Sequence, residues 1–206
     1  MVLFIIKIFY NICYKCRENK NKVTSYSMKK IFIPILSFLL FSLYISSAQA
    51  ACNFQAKLGE KKTTFEERKF PSRGFPMEHF GLEVYPILAE DICSNQKLKD
   101  IGIEYKFLND ELIAINMVAL NGENNSVSEK LTLMNYAKNN YGTFDTTQNP
   151  KSYSGYEIFE KTNQFIVYQR LPGEDGIIDE QIYITTQELD TKLMEFYKKM
   201  ELQQAE

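Results

Sequence analysis

The segment Met28–Ala51 decides how much of this chain can belong to a fold. It reads Met-Lys-Lys, then an apolar run from Ile31 to Ile45, then Ser46-Ser47-Ala48-Gln49-Ala50. A basic start, a greasy middle and a small-residue exit are the layout of a secretory signal peptide. The run is fifteen residues long and carries Pro34, Ser37 and Ser42. That is short of the roughly 20 residues a membrane span needs. Alanine at both 48 and 50 predicts cleavage after Ala50, in preference to an uncleaved anchor. Residues 1–27 then stand upstream of a working signal, as a mis-assigned or dispensable extension. Their Cys13-Tyr-Lys-Cys16 has no strand–helix context for a redox role and no second ligand pair for zinc. Lipidation at Cys52 is the second export route, because bacterial lipoproteins are cut just before a cysteine that follows small residues. Gln49 departs from the aliphatic residue expected at that point. Both routes place a single domain, residues 51–206, in the periplasm or outside the cell.

Charge narrows the partners. The chain has 24 Lys+Arg and 26 Asp+Glu. Seven of the bases and one of the acids fall in residues 1–50, so the remaining 156 residues carry a net charge of −8. An acidic domain repels phosphate backbones and anionic lipid. Nucleic acid is therefore not an expected partner, and membrane contact is left to the signal peptide or a lipid on Cys52. A domain of this length can bury a core. Its two cysteines, Cys52 and Cys93, are expected to be joined in an oxidising compartment. The bridge would close a loop of about forty residues, stabilise by about 3–4 kcal/mol and tie down the first strand. A metal pair or a nucleophilic thiol would have to use His79, the only histidine in the chain, with nothing identifiable to orient it. No motif asks for a cofactor.

Periodicity gives the elements. Residues 53–58 alternate and predict a short strand. Residues 60–81, with Pro71, Gly74 and Pro76, predict an irregular and locally basic loop. Leu82–Leu88 suits an edge strand, with Pro86 limiting its pairing, and 91–100 a turn or short helix around Cys93. The clearest unit is a hairpin over 101–120. Ile101, Ile103, Tyr105 and Phe107 share a face, Asn109-Asp110 turns, and Leu112–Leu120 returns as a nearly continuous apolar, central strand. Ser126-Val-Ser-Glu129 matches a capping box and opens a helix to about Asn140, with Leu131, Met134 and Tyr141 buried. After a polar loop over 143–154, a second hairpin turns at Glu160–Asn163. Ile177–Thr185 is a last strand, and Thr185-Thr-Gln-Glu188 caps a final helix carrying Leu189, Leu193, Phe196, Tyr197 and Met200. The expected fold is α+β: an antiparallel sheet of about five to seven strands with both amphipathic helices on one face. Strands then capped helix recurs in 101–142 and 155–202, a ββα-type pseudo-repeat in order without matching residues at a fixed period.

Chemistry is thinly signalled. Glu78 and His79 are adjacent in an extended segment and point opposite ways, which argues against an acid–base pair. The loop acids Asp145, Glu174, Asp175 and Asp179 are the only carboxylates nameable for hydrolysis, and their spacing does not fit a calcium loop. Aromatics near the second hairpin, Tyr153 and Tyr156 among them, suit a recognition surface or a core. The reading favoured is a small non-catalytic interaction protein with an envelope or extracellular protein partner. Its candidate surface is Arg68, Lys69, Arg73, Phe75, His79, Tyr153 and Tyr156. An inhibitor of a secreted hydrolase and a carboxylate-dependent envelope hydrolase are the alternatives.

Overall fold

The computed structural model describes residues 51–204; the leader, the 1–27 extension and the Cys13–Cys16 pair lie outside them. The elements are α1 (Lys62–Glu66), β1 (Met77–His79), β2 (Leu82–Leu88), α2 (Ala89–Ile92), β3 (Ile101–Leu108), β4 (Glu111–Ala119), α3 (Ser126–Glu129), α4 (Thr132–Asn140), β5 (Gly155–Lys161), β6 (Gln164–Pro172), β7 (Ile178–Thr185) and α5 (Gln187–Gln204). All seven strands form one open sheet in the order β1-β2-β3-β4-β7-β6-β5, every pairing antiparallel. The 101–120 hairpin forms with its turn at Asn109-Asp110, both at positive φ. Its second strand is central, between β3 and β7.

Strand alternation, interrupted by a bulge at Ile113, sorts the side chains into two cores. On one face Ile101, Ile103 and Tyr105 stand opposite Ala119, Met117 and Ile115. Ile115 and Met117 in turn face Ile184 and Ile182, which face Ile166 and Tyr168. Leu133, Met134, Tyr136 and Ala137 of α4 close this face, together with Phe65, Phe70 and the Cys52–Cys93 disulfide. Phe65 is fully buried, with the rings of Phe70, Tyr85, Tyr105 and Phe107 all centred within 5.4 Å of its own. Its burial contributes about 1.5–3 kcal/mol. The opposite face presents Leu82, Val84, Leu108, Ile113 and Ala114, and these pack against Leu189 and Leu193 of α5.

The two long helices therefore take opposite faces, where the sequence put both on one. The cause is β4, whose apolar run supplies Ile115 and Met117 to one core and Ile113 and Ala114 to the other. A two-fold exchanging the antiparallel neighbours β4 and β7 would run along the sheet normal and keep both helices on the same side. The arrangement gives no support to a ββα repeat.

Local departures have local causes. Residues 53–58 are not a strand: the Asn53 side chain accepts from the Gln55 N–H and Gln55 turns at φ 54°. The 60–81 segment is not wholly irregular, since it holds α1 and β1. β2 is one strand in from the edge, because β1 pairs with it. The first capped helix is broken at Leu131, φ 58°, into α3 and α4. Its capping box does not form; the Asn121 side chain accepts from the Ser128 N–H instead. The second cap slips by one residue: Thr186 Oγ1 accepts from Leu189 N–H, while the Thr185 hydroxyl donates to Ile113 O at 2.6 Å.

The end of α5 rests on the β1–β2 turn, where Gly81 (φ +73°) leaves room for Phe196. A Cβ there would stand 2.6 Å from Phe196 Cζ. G81A is expected to cost about 1–3 kcal/mol, read as a lower urea midpoint. An unchanged midpoint would mean that α5 does not depend on this contact.

Candidate functional site

The residues Phe70-Pro71-Ser72-Arg73-Gly74-Phe75-Pro76 cannot continue a strand, and their backbone is instead stapled to its neighbours. Arg73 Nη1 donates to the carbonyls of Glu66 and Arg68. Gly74 N–H donates to Pro86 O at 2.9 Å. The approach is close enough that a Cβ at Gly74 would meet Pro86 Cγ at 2.8 Å. Leu88 N–H donates to Ser72 Oγ at 2.9 Å. From this fixed backbone Phe75 projects with 92% of its surface exposed.

Beside it in the chain comes the β1–β2 hairpin, with a two-residue loop of Phe80 and Gly81 between the paired residues His79 and Leu82. Both loop residues have positive φ, +47° and +73°, the primed turn that suits strand twist. Glycine adopts it freely, whereas a phenylalanine there is strained. Phe80 is nonetheless 70% exposed, so the strain is not repaid by burial. Met77 is exposed as well, and the His79 ring lies edge-on to Phe80 at 4.4 Å. Chemically, this corner offers rigid apolar projections and one imidazole.

The other expected surface residues scatter. Arg68 is ion-paired with Glu60. Arg73 is spent on the two carbonyls, and Lys69 is exposed. The Tyr153 ring packs on Phe144 and Tyr168. Its hydroxyl donates to Glu157 at 3.0 Å, and desolvation together with that carboxylate pushes its pKa up to about 12. Tyr156 is exposed, but on β5, at the opposite edge of the sheet from β1. The structure thus brings Phe75 and His79 to one region and leaves Tyr156 far across the strand order. Glu78 and His79 sit at successive positions of β1, facing opposite sides.

The loop acids hold their own loops. Asp145 Oδ1 accepts from Thr147 N–H and Asp175 Oδ1 from Ile177 N–H, each at 2.9 Å. Glu174 and Asp179 are exposed. An open groove of about 660 Å³ beside the Thr162-Asn163 turn carries three other carboxylates, Glu160, Glu188 and Asp190. Glu188 is paired with Lys192, and Asp190 accepts the Tyr183 hydroxyl at 2.9 Å.

Two groupings went unforeseen. Lys62 Nζ bridges Glu83 at 2.7 Å and Asp110 at 2.9 Å. The hydrogen bond to Glu83 holds the lysine's pKa up and the glutamate's down. This clamp ties α1 to β2 and to the β3–β4 turn. The second is Arg170 and Glu180, cross-strand partners buried to 3% and 1% exposure. Sequence carried a signal for both. Arg170 continues Ile166 and Tyr168 at period two, and Glu180 precedes Ile182 and Ile184 at period two, so each falls on the core face. Met77 and Phe80 had only a weak signal, a residue–Gly pair between two short extended runs.

No known protein family, curated protein or solved structure matches the chain.

Proposed function

We propose that residues 51–206 form an exported, non-catalytic protein-binding module, and that its contact surface is the corner made by Phe75, Met77, His79 and Phe80. The observation that carries the reading is a costly conformation with no return inside the fold. The backbone under Phe75 is stapled at several points, Phe80 is held at positive φ, and both rings lie in solvent. Strained residues in a tightly held setting cluster at binding sites, and aromatic and methionine side chains are enriched at protein contacts. The Cys52–Cys93 disulfide fits an oxidising compartment. Export through a leader cut after Ala50 is part of the same proposal. Lipid attachment at Cys52 is not, because a sulfur bonded to Cys93 has no valence for a thioether.

The same geometry favours one class of partner, a secreted hydrolase held by an inhibitor. A loop fixed by side-chain and backbone hydrogen bonds, with an aromatic tip, enters a cleft at little entropic cost.

The test is a photo-crosslinking residue placed at position 80 in the exported chain, with F75A as the comparison. Capture of a single envelope or secreted protein is expected, weakened tenfold or more by F75A. The F75A melting temperature should stay near that of the parent, since an exposed side chain contributes within about 0.5 kcal/mol. Undiminished capture by F75A would move the contact elsewhere, and turnover of a peptide or glycan by the purified chain would replace the reading with an enzymatic one.

A further inference from the structure

The two edges of the sheet are finished differently. At one edge β1 covers Leu82–Val84 of β2, and the 72–74 loop takes over from there through Gly74 N–H to Pro86 O and Leu88 N–H to Ser72 Oγ. Pro86 has no N–H to leave open. At the other edge lies β5, seven residues long and paired only with β6. Among the described residues no comparable staple runs along it. A bare strand edge is a row of unpaired N–H and C=O groups, ready to template another strand. On its uncovered face stand Tyr156 and Ile158, 67% and 50% exposed.

We infer that β5 is a self-association edge, which pairs antiparallel with β5 of a second copy of this chain. The strand's own order of charges selects the occupant. In a two-fold pairing centred on Phe159, each Phe159 faces its equivalent and Glu157 faces the partner's Lys161. Symmetry makes that ion pair twice. Ile158 lies against the stem of the partner's Glu160, and Tyr156 against the partner's Thr162. Centring on Ile158 instead sets Glu157 against Phe159 and Lys161 against Gly155, and both ion pairs are lost. Opposite charges across antiparallel strands stabilise the pair and like charges oppose it. Glu157, Glu160 and Lys161 are the kind of residues that keep foreign strands off an edge. Against a second copy of the same strand, in this register, Glu157 and Lys161 become complementary. The inference is independent of the proposed binding corner, which lies at the other edge.

Sedimentation equilibrium of the full exported chain tests it. The parent is expected to show a concentration-dependent dimer. E157K and K161E, each setting two like-charged pairs across the axis, are each expected to raise the dimer dissociation constant roughly tenfold or more. An equimolar mixture of the two should restore association as a heterodimer, because every facing pair is then of opposite sign. K161E alters an exposed side chain, so it keeps the test decisive if E157K disturbs Tyr153 and unfolds. A parent that stays monomeric at every accessible concentration would overturn the inference. So would a dimer indifferent to K161E, or folded charge-reversed chains that fail to pair with each other.

Discussion

E180Q is expected to lower stability by about 1–3 kcal/mol, by setting an unsatisfied amide against Arg170, with the deficit narrowing as pH rises through the raised folded pKa of Glu180, whereas R170M is expected to lose stability at alkaline pH and regain it on acidification. The difference follows from what each residue can do when left alone in the core. Glu180 Oε1 accepts from the Tyr168 hydroxyl at 2.9 Å and from Met134 N–H at 3.1 Å. Arg170 donates to the carbonyls of Tyr153 and Ser128 at 3.0 and 3.3 Å. The network joins β6, β7, α3, α4 and the loop before β5. Among the described residues Arg170 Nε and Glu180 Oε2 have no hydrogen-bond partner, so the two residues hold each other mainly by charge across the strand pair. A guanidinium cannot shed its proton, and in E180Q it remains a buried charge without a counterion.

Glu180 has an escape that arginine lacks. Burial raises its carboxyl above the ordinary 4.5, and the Tyr168 hydroxyl, Arg170 and the Met134 amide pull it part of the way back. A group whose pKa is raised by folding contributes stability that is complete below its unfolded value and is lost as pH rises through the folded one. In R170M the folded pKa climbs further, so the deficit grows toward alkaline pH and shrinks where the carboxyl takes a proton. Glu83 works in the other sense: Lys62 lowers its pKa, so its contribution is lost as pH falls through the folded value. Each variant is therefore compared with the parent at the same pH by urea unfolding. The paired change R170M/E180Q should cost less than the two single losses added together, since it leaves no charge stranded. A pH-flat deficit in R170M would show that Glu180 is not ionised in the native core.

The sheet and its helices were largely legible, because their signals are local and repetitive. Ile101 to Phe107 alternate, Asn109-Asp110 turns, and Leu189 to Met200 recur at helical spacing. What was not legible depends on which face a residue takes once the strands are ordered. The apolar run of β4 looks the same whether it feeds one core or two, so the placement of α5 opposite α4 could not be read from it. Leu131 at positive φ carries no sequence mark, and neither does the Asn121 side chain that replaces Ser126 as a cap. The proposed binding corner was half visible. Pro71, Gly74 and Pro76 announced a loop, but the staples that fix it come from Pro86 and Leu88 in a separate strand. Phe75 and His79 were in view from the start. Phe80 was not, since its exposure and its strain are properties of a turn.

Reduction of the Cys52–Cys93 bond, or the C52A/C93A pair, is expected to remove about 4 kcal/mol and to lower the melting temperature by roughly 10 °C. The bridge joins residues 41 apart, and in the chain-entropy model that loop sets the size of the loss. The native contacts say where the loss is felt. Cys52 N–H donates to the Tyr136 hydroxyl at 3.0 Å and the Tyr105 hydroxyl donates to Phe54 O at 2.6 Å. Phe54, Ala56 and Leu58 lie at the margin of the core. Nothing in 53–58 is paired as a strand, so this segment stays in place through the bond, those two hydroxyls and a thin apolar contact. Hydrogen exchange should therefore rise first at residues 53–58 on reduction, before the global transition moves. If exchange there is unchanged and the melting temperature falls by only a degree or two, the side chains and not the bond hold the segment. If native material carries both cysteines as free thiols, the domain does not live in an oxidising compartment.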